Sequence, residues 1–323
     1  MTRLYFAVTT RCNLRCAHCF NGSGAARPDE LTTSQVCSVI EMAHTEAITE
    51  LQLTGGEALI REDIWEIISY AHTRGLVVLL QTNGVIGSPV MEKLQALDPK
   101  LTRIIVSIDG IETNGALRGA SVTDNAIRTV KTLSASFPVR INTLLTARIC
   151  DEEIDRLIKL ATQTGAEIAF NPMIPRGRGN ISDMADPKEF FERMVWIEKA
   201  GSNIRKGFTY DAQTRQFQDN ENCPVRRGDS LFVASNGDCY PCGFLDGYVE
   251  LRMGNMLRQN GGFAAIKRNT PAGCCDVSTE CAACAHYINK HCFAGCPARI
   301  YALHAHFEGC EFYCMKKHGG EWM

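Results

Sequence analysis

The sequence predicts an α/β protein, a partial (βα)6 TIM-like barrel followed by a small cysteine-rich C-terminal domain. In the first 200 residues, short runs of valine, isoleucine and leucine alternate with helical patterns, which is typical of a parallel sheet buried on both faces. After residue 200 the elements become short, and the sequence places 11 of its 16 cysteines there. We therefore predict a barrel over residues 1–205 and a cysteine-rich domain over residues 206–323.

Six strand–helix units follow one another in the barrel. The strands are predicted at Arg3–Val8, Glu50–Leu53, Leu76–Leu80, Arg103–Ile108, Val139–Leu145 and Ala166–Phe170. The helices are predicted at 32–45, Glu62–Thr73, Pro89–Leu97, Val122–Leu133, Asp151–Thr162 and Asp186–Ala200. The run Thr32-Thr33-Ser34 supplies a cap for the first helix, and Gly75 ends the second. Chemistry in such folds collects on loops beyond the carboxyl ends of the strands.

Composition and charge narrow the classes of partner. Lys and Arg total 34 against 36 Asp and Glu, so no basic surplus favours nucleic acid. No apolar run has the length of a membrane span, and no secretory signal opens the chain. We expect a cytoplasmic protein without a membrane partner. Sixteen cysteines in such a chain indicate metal or cluster ligation rather than disulfides.

The loop after the first strand carries Cys12-x3-Cys16-x2-Cys19. Three thiolates at this spacing can hold three irons of a cubane cluster and leave the fourth iron open. A zinc site normally needs four protein ligands, and no further cysteine lies within the next seventeen residues. His18 lies between two ligating cysteines, so we expect it to point away from their metal. The spacing thus favours iron–sulfur over zinc.

This loop resembles that of the radical S-adenosylmethionine superfamily, in which an aromatic residue precedes the last cysteine; His18 occupies that place. Thr54-Gly55-Gly56-Glu57, after the second strand, matches the superfamily's Gly-Gly-Glu segment. The resemblance implies a [4Fe-4S] cluster on Cys12, Cys16 and Cys19 that binds S-adenosylmethionine. It also implies cofactor contacts from Gly55, Gly56, Glu57, Asn83, Ser107, Asp109 and Asn142. Plainer readings are turns for the glycines and Asn83-Gly84, and caps for Ser107 and Asp109.

The C-terminal part contains a predicted hairpin, Leu231–Cys242, with an Asn-Gly turn. Its cysteine spacing resembles the SPASM domain, which carries auxiliary clusters, except that x7 separates Cys284 from Cys292 where x5 is usual. The resemblance implies a first auxiliary [4Fe-4S] cluster on Cys223, Cys242 and Cys296. Its fourth ligand is open, with Cys239 the nearest candidate and a substrate or water position as the alternative. It implies a second cluster on Cys281, Cys284, Cys292 and Cys314, with Cys314 preferred to Cys310. A zinc-ribbon module is the alternative on spacing alone.

By this resemblance the protein is expected to cleave S-adenosylmethionine reductively to a 5'-deoxyadenosyl radical and to modify a peptide or protein side chain oxidatively. A small-molecule dehydrogenase, a sulfatase-type maturase, an electron carrier and a zinc-binding module remain alternatives. We expect a reducing flavodoxin or ferredoxin as partner. Because the first strand begins near residue 3, a leader-binding domain has no room before it, so either a separate leader-peptide-binding protein presents the peptide, recognition is direct, or the substrate is small. No catalytic base is assigned among Asp238, Asp246 and the Tyr210-Asp211 pair.

Overall fold

The computed structural model describes residues 2–200, 223–258, 261–289, 292 and 294–318, and the backbone at 210–211 and 216–217. Its main sheet contains six parallel strands that pair in chain order. These strands are β1 (Arg3–Thr9), β2 (Glu50–Gly55), β3 (Val77–Thr82), β4 (Thr102–Ser107), β5 (Val139–Leu145) and β6 (Glu167–Pro172). Because β6 pairs with β5 and not with β1, the six strands form an open, partial barrel. This confirms the predicted fold class.

The helices of the barrel follow the predicted order with one addition. They are α1 (Thr33–Thr45), α2 (Ile64–Thr73), α3 (Ser88–Gln95), α4 (Glu112–Arg118), α5 (Val122–Leu133), α6 (Asp151–Thr164) and α7 (Pro187–Lys199). Thr32 caps α1 in a capping box with Gln35, as its sequence suggests. The sequence prediction missed α4, because this helix is short, lacks a side-chain cap and ends at Gly119.

The cysteine-rich part consists of short elements. These are β7 (Tyr210–Asp211), β8 (Gln216–Phe217), β9 (Phe232–Val233), β10 (Asp238–Tyr240), β11 (Gly254–Asn255), α8 (Gly262–Lys267), α9 (Thr279–Ala282), α10 (Ala285–Ile288), α11 (Pro297–His304) and α12 (Met315–His318). Strands β9 and β10 form the predicted hairpin, and β9 pairs in parallel with β1. The sheet is therefore continuous from β11 through β1 to β6. The predicted domain boundary near residue 205 lies outside the described residues.

Strand β1 separates two hydrophobic cores. Leu4, Phe6 and Val8 pack in the core between the parallel strands and their helices. Ala7 packs on the opposite side with side chains of the cysteine-rich part, and Tyr5 lies against them. This follows from the period of two along a strand, which sends successive side chains to opposite faces. The strand that leads into the Cys12 loop is thus the element that joins the barrel to the cysteine-rich part.

Among the described helices, none combines the length and the apolar character that crossing a membrane requires.

Candidate functional site

The loop that carries Cys12, Cys16 and Cys19 leaves the carboxyl end of β1 and is fastened along its length. Glu30 accepts hydrogen bonds from the Thr10 amide (2.6 Å) and the Thr9 hydroxyl (2.8 Å) at the beginning of the loop. The Cys12 amide donates to the Gly24 carbonyl at 2.9 Å, and the Ala17 amide donates to the Leu117 carbonyl at 2.8 Å. These bonds fix the backbone on which the three thiols are mounted.

The three thiols are electrostatic neighbours. Burial raises the pKa of Cys12, and the nearby Glu57, Cys16 and Cys19 raise it further. Burial also raises the pKa of Cys16, whereas the charge of Arg118 opposes that rise. The Leu14 amide donates to Cys12 Sγ at 3.4 Å. Amide donors to sulfur and a nearby guanidinium suit thiolates that carry the negative charge of an iron–sulfur cluster, so this site fits such a group.

His18 and Asp109 form a buried charged network with Arg118, which sequence reasoning had not identified. Asp109 Oδ2 accepts from Arg118 Nε (2.7 Å) and lies 3.0 Å from His18 Nε2. Asp109 Oδ1 accepts from the Leu144 amide at 2.9 Å. Burial works to raise the pKa of Asp109, but Arg118 and His18 outweigh it and hold that pKa well below its usual range.

The Asp109 side chain is fully buried, and both of its carboxylate oxygens have protein partners. Through His18 it contacts the loop that carries the three cysteines. Its contact with a cofactor stays a prediction. His18 is buried as well, and its Nδ1 has no hydrogen-bond partner among the described residues. The helix that carries Arg118 is α4, the element the sequence prediction missed.

Gly55 and Gly56 allow the end of β2 to approach the end of β1. A Cβ on Gly55, whose φ is +135°, would lie 2.1 Å from the Thr9 carbonyl oxygen, and one on Gly56 would lie 2.2 Å from that of Arg11. The Gly56 and Glu57 amides donate to these same two carbonyls, at 2.8 and 2.9 Å. The two glycines are thus required by backbone packing, and a contact with a cofactor stays a prediction.

Glu57 is buried and faces the backbone that follows β3. Its Oε2 accepts from the Asn83 amide at 2.7 Å, and its Oε1 accepts from the Leu59 amide at 3.3 Å. Burial raises the pKa of Glu57 to about 7 despite these bonds. The Asn83 side chain donates in turn to Asn13 Oδ1 at 2.7 Å, and Asn13 lies in the loop that carries the three cysteines. The loops after β2 and β3 therefore reach the cysteine loop, as the sequence predicts.

Ser107 is the last residue of β4, and its register partner on β5 is Asn142, in the middle of that strand. Ser107 is buried and Asn142 is half-buried. In a parallel pair with this register the two side chains leave the same face of the sheet. Ser107 lies at the sheet edge that carries the cysteine loop, and the contacts of both residues with a cofactor remain predictions.

The segment after β6 closes over the cysteine loop from the other side. Arg178 Nε donates to the Cys16 carbonyl at 2.8 Å, and its Nη1 donates to the Ser23 carbonyl at 3.0 Å. A Cβ on Gly177 would lie 2.5 Å from the Cys19 carbonyl oxygen. Sequence reasoning missed Arg178; the signal was the run Arg176-Gly177-Arg178-Gly179 directly beyond a strand end.

A second set of cysteines lies in the core shared by β1, β9 and β10. Cys274 is buried in this core, and Cys223, Cys242 and Cys296 pack against it. Burial raises the pKa of Cys242, and the nearby Cys296, Cys223 and Cys274 raise it further. The structure thus brings together the three cysteines predicted for the first auxiliary cluster and adds Cys274.

The structure places Cys239 elsewhere. It alternates along β10 with Tyr240, so the Tyr240 side chain enters the core of the cysteine set and Cys239 enters the barrel core on the other face. Burial raises the pKa of Cys239, and the charged neighbour that adds to this rise is Asp238 rather than another cysteine. The Cys239 thiol therefore does not share a core with Cys223, Cys242 and Cys296.

A third set contains the cysteines predicted for the second auxiliary cluster. Burial raises the pKa of Cys292 to about 12, with Cys314, Cys281 and Cys284 as its charged neighbours. Cys310 is buried beside Cys314, where Glu280 is its hydrogen-bonding neighbour. The structure brings together the four residues that the sequence selects, and the ligand roles themselves stay predictions.

A buried ion pair links the second set to the barrel. Arg299 donates to both carboxylate oxygens of Glu311, and the Cys296 amide donates to Glu311 Oε2 at 2.6 Å. Arg299 Nη1 also donates to the Met173 carbonyl, just after β6, at 3.5 Å. The Arg299 charge opposes the rise that burial causes in the pKa of Cys296. This pair ties the beginning of α11 to the loop that covers the Cys12 site.

Among the described residues, no three His, Cys, Asp or Glu side chains converge as ligands of a single metal ion do. The thiolates of a cubane surround one cluster but each binds a different iron, so they lie farther apart than the ligands of one ion.

The carboxylates named as possible catalytic bases have other partners or surroundings. Asp238 bonds Asn236 and Asn255 at the hairpin turn. Asp246 is buried, and burial raises its pKa. The side chains of Tyr210 and Asp211 lie outside the described residues.

Comparison with known proteins places this site in a family. The model of the "Radical SAM superfamily" matches residues 6–161. The chain is 31% identical to the AdoMet-dependent heme synthase of Methanosarcina barkeri, across 97% of this chain and 95% of that protein. It is 28% identical to the mycofactocin maturase MftC of Mycobacterium tuberculosis, across 98% and 83%.

Two solved structures share the fold. Superposition on anSMEcpe with bound AdoMet gives a TM-score of 0.72 at 18% identity, over 98% of this chain and 94% of that one. Superposition on Streptococcus suis SuiB bound to S-adenosylmethionine gives 0.70 at 16% identity, over 97% and 77%. With a full-length relative above 30% identity, the cysteine loop and the partial barrel, the chain belongs to the radical SAM superfamily of enzymes.

Proposed function

We propose that this enzyme binds S-adenosylmethionine at a [4Fe-4S] cluster on Cys12, Cys16 and Cys19, and that it oxidatively modifies a peptide or protein side chain, by crosslinking or dehydrogenation. The observation that carries the oxidative outcome is the presence of two further cysteine sets, one of them in the core that Ala7 of β1 shares. These sets would hold two auxiliary [4Fe-4S] clusters, giving three in all.

When bound, the reduced cluster and S-adenosylmethionine supply a 5'-deoxyadenosyl radical that removes a hydrogen atom from the substrate. Residues of this chain hold the site in position. Arg178 donates to the Cys16 carbonyl, and the charge of Arg118 acts on the Cys16 thiol. Ser107 ends β4 and pairs with Asn142 on β5, and we propose that both side chains contact the cofactor. A net oxidation then requires that the substrate lose one more electron, and the auxiliary clusters are the proposed acceptors.

The proposed substrate class is supported by the relatives. One full-length relative is named a maturase of mycofactocin, and SuiB has been crystallised with its precursor peptide SuiA. A peptide substrate would be presented with the help of a separate leader-binding protein, and a reduced flavodoxin or ferredoxin would supply the electron.

A second candidate function is the oxidation of a small metabolite. The observation that favours it is the relative with 31% identity, which is named a heme synthase. Because that protein and the peptide maturase align with almost the whole of this chain, the alignment does not separate the two substrate classes.

The test begins with anaerobically purified protein. We expect about twelve irons and twelve sulfides per chain, for three cubane clusters. Addition of a strong reductant and S-adenosylmethionine is expected to release 5'-deoxyadenosine. The matched control replaces Cys12, Cys16 and Cys19 by alanine, which should leave about eight irons and abolish release. Stoichiometric zinc without cleavage would contradict the proposal.

Substrate class is then tested by competition between two panels. One contains short peptides encoded beside the gene, and the other contains heme precursors. Mass spectrometry should show the loss of two hydrogens from a peptide, in step with 5'-deoxyadenosine release. Turnover of a heme precursor with no change in any peptide would establish the second candidate instead.

A further inference from the structure

Cys274 stands outside the spacing pattern that selects the other cysteines, yet its side chain is fully buried among them. It precedes Cys275 in a turn in which the Cys274 amide donates to the Pro271 carbonyl at 3.2 Å. A buried thiol is usually a small apolar side chain in a core. Here, however, three other thiols contact the same small core, and four thiols gathered around one core suit the ligand set of a [4Fe-4S] cluster.

The chain segments that carry three of these cysteines are held together by one side chain, Arg226. It lies three residues after Cys223 and donates to the carbonyl of Asp276, two residues beyond Cys274. It also donates to the carbonyls of Ala294 (2.9 Å) and Gly295 (3.3 Å), just before Cys296. A single guanidinium thus fixes three distant segments around one point.

The electrostatics agree with this geometry. Burial, together with the neighbouring thiols of Cys275, Cys223 and Cys296, raises the pKa of Cys274 to about 12, and Arg226 opposes the rise. Amides also point at the sulfurs: that of Phe244 lowers the pKa of Cys242, and that of Arg299 lowers the pKa of Cys296, each against a larger rise from burial.

We propose that Cys274 is the fourth protein ligand of the first auxiliary cluster, with Cys223, Cys242 and Cys296, so that this cluster has no open iron. The inference rests on the proposed function, which supplies the auxiliary cluster. Cys239 lies on the opposite face of β10 and is excluded. Cys275 is less buried, and its strongest charged neighbours include Cys223 but neither Cys242 nor Cys296.

Closed coordination has a functional consequence. A cluster with four cysteine ligands gives substrate no iron to bind, so it takes part by electron transfer only. The core that these thiols share includes Ala7 of β1, the strand that leads to Cys12. Substrate would therefore not be held by an iron of this cluster.

The test uses a parent in which Cys12, Cys16 and Cys19 are alanine, so that only auxiliary clusters remain. Into this parent we introduce Cys274→Ala, Cys275→Ala or Cys239→Ala, and as a milder change Cys274→Ser. Iron and sulfide are counted, and the reduced proteins are examined by EPR with and without cyanide, a small ligand for open iron. Circular dichroism checks that each variant is folded.

For the parent we expect about eight irons and EPR spectra that cyanide leaves unchanged. Cys274→Ala should lose up to about half of the iron, or keep a cluster that now responds to cyanide. Cys274→Ser should alter the EPR spectrum if the cluster persists. Cys239→Ala and Cys275→Ala should match the parent.

The inference is overturned if Cys274→Ala and Cys274→Ser keep the parent's iron content and spectra, or if Cys275→Ala shows the losses instead. A parent whose own spectrum responds to cyanide would also overturn it, because an open iron would then exist already. A parent without iron would instead defeat the proposed function, since no auxiliary cluster would be present.

Discussion

The replacement of Arg118 by methionine tests whether the network with Asp109 and His18 supports the cluster loop. Methionine keeps much of the side-chain volume and removes the guanidinium that donates to Asp109 at 2.7 Å. The Asp109 carboxylate is fully buried and would retain His18 and the Leu144 amide as partners, without a permanent positive charge.

The expected loss of stability follows from this burial. Removing one member of a buried ion pair costs about 3–5 kcal/mol, because an uncompensated charge remains. Arg118→Lys keeps the charge and loses the forked geometry, so its loss should be smaller. Combining Arg118→Met with Asp109→Asn removes both charges, and this double variant should be more stable than Arg118→Met.

Urea unfolding of the cluster-free chains, followed by circular dichroism, measures these differences. A loss of this size should lower the midpoint of Arg118→Met by roughly 1 M or more, given slopes of a few kcal/mol per M. The iron content of the reconstituted protein is the second readout, since the charge of Arg118 acts on Cys16. The reasoning fails if Arg118→Met lies within about 0.5 kcal/mol of the wild type, a change typical of surface sites. It also fails if the double variant is no more stable than the single one.

Three further predictions follow from other contacts. Arg178→Ala removes the side-chain donor to the carbonyls of Cys16 and Ser23, and the Cys16 carbonyl keeps only the Cys19 amide at 3.3 Å. We expect a loss of about 1–3 kcal/mol and weaker iron retention at the Cys12 site, against no loss for Arg11→Ala at an exposed position, and equal effects of the two changes would refute this role of Arg178. Glu311→Gln leaves Arg299 buried without its counter-charge, so we expect the free energy of unfolding to fall by about 3–5 kcal/mol. Adding Arg299→Met should restore part of this loss, and urea midpoints that show no restoration would contradict the prediction. Burial raises the pKa of Glu57 to about 7, so the folded state binds the proton of this carboxyl more tightly than the unfolded state does. The stability that the protonated Glu57 contributes is therefore lost as pH rises through 7. Glu57→Gln should therefore gain stability relative to wild type between pH 5 and 8, by at most about 3 kcal/mol in urea midpoints, and a difference independent of pH would show that this pKa is not raised.

Much of the barrel was predictable because its signals are local. Continuous apolar runs place β1 to β6, and their bounds differ from the predicted ones by at most two residues at each end. The capping box at Thr32 and the turn at Asn236-Gly237 also depend on a few neighbouring residues. Helix α4 escaped prediction because a short helix without a side-chain cap leaves a weak local pattern.

The site divides in the same way. Spacing identified Cys12, Cys16 and Cys19, because all three lie on one loop. It could not identify Arg118 or Arg178, whose contacts with that loop join residues about a hundred or more positions apart. The resemblance to the family gave Gly55 and Gly56 a cofactor role, which stays a prediction. The structure shows that these positions need glycine because the carbonyl oxygens of Thr9 and Arg11 lie where a Cβ would be.

The cysteine-rich part shows most clearly what the sequence determined by itself. The resemblance of its cysteine spacing to the SPASM domain selected Cys223, Cys242 and Cys296 without the structure. Only the tertiary structure shows that Cys274, and not Cys239, shares a core with them. The parallel pairing of β9 with β1 fixes which face of β10 meets the cysteine set, and a strand's period of two then turns Cys239 away. Cys274 joins the set through Arg226, whose bonds connect segments about 50 and 70 residues apart.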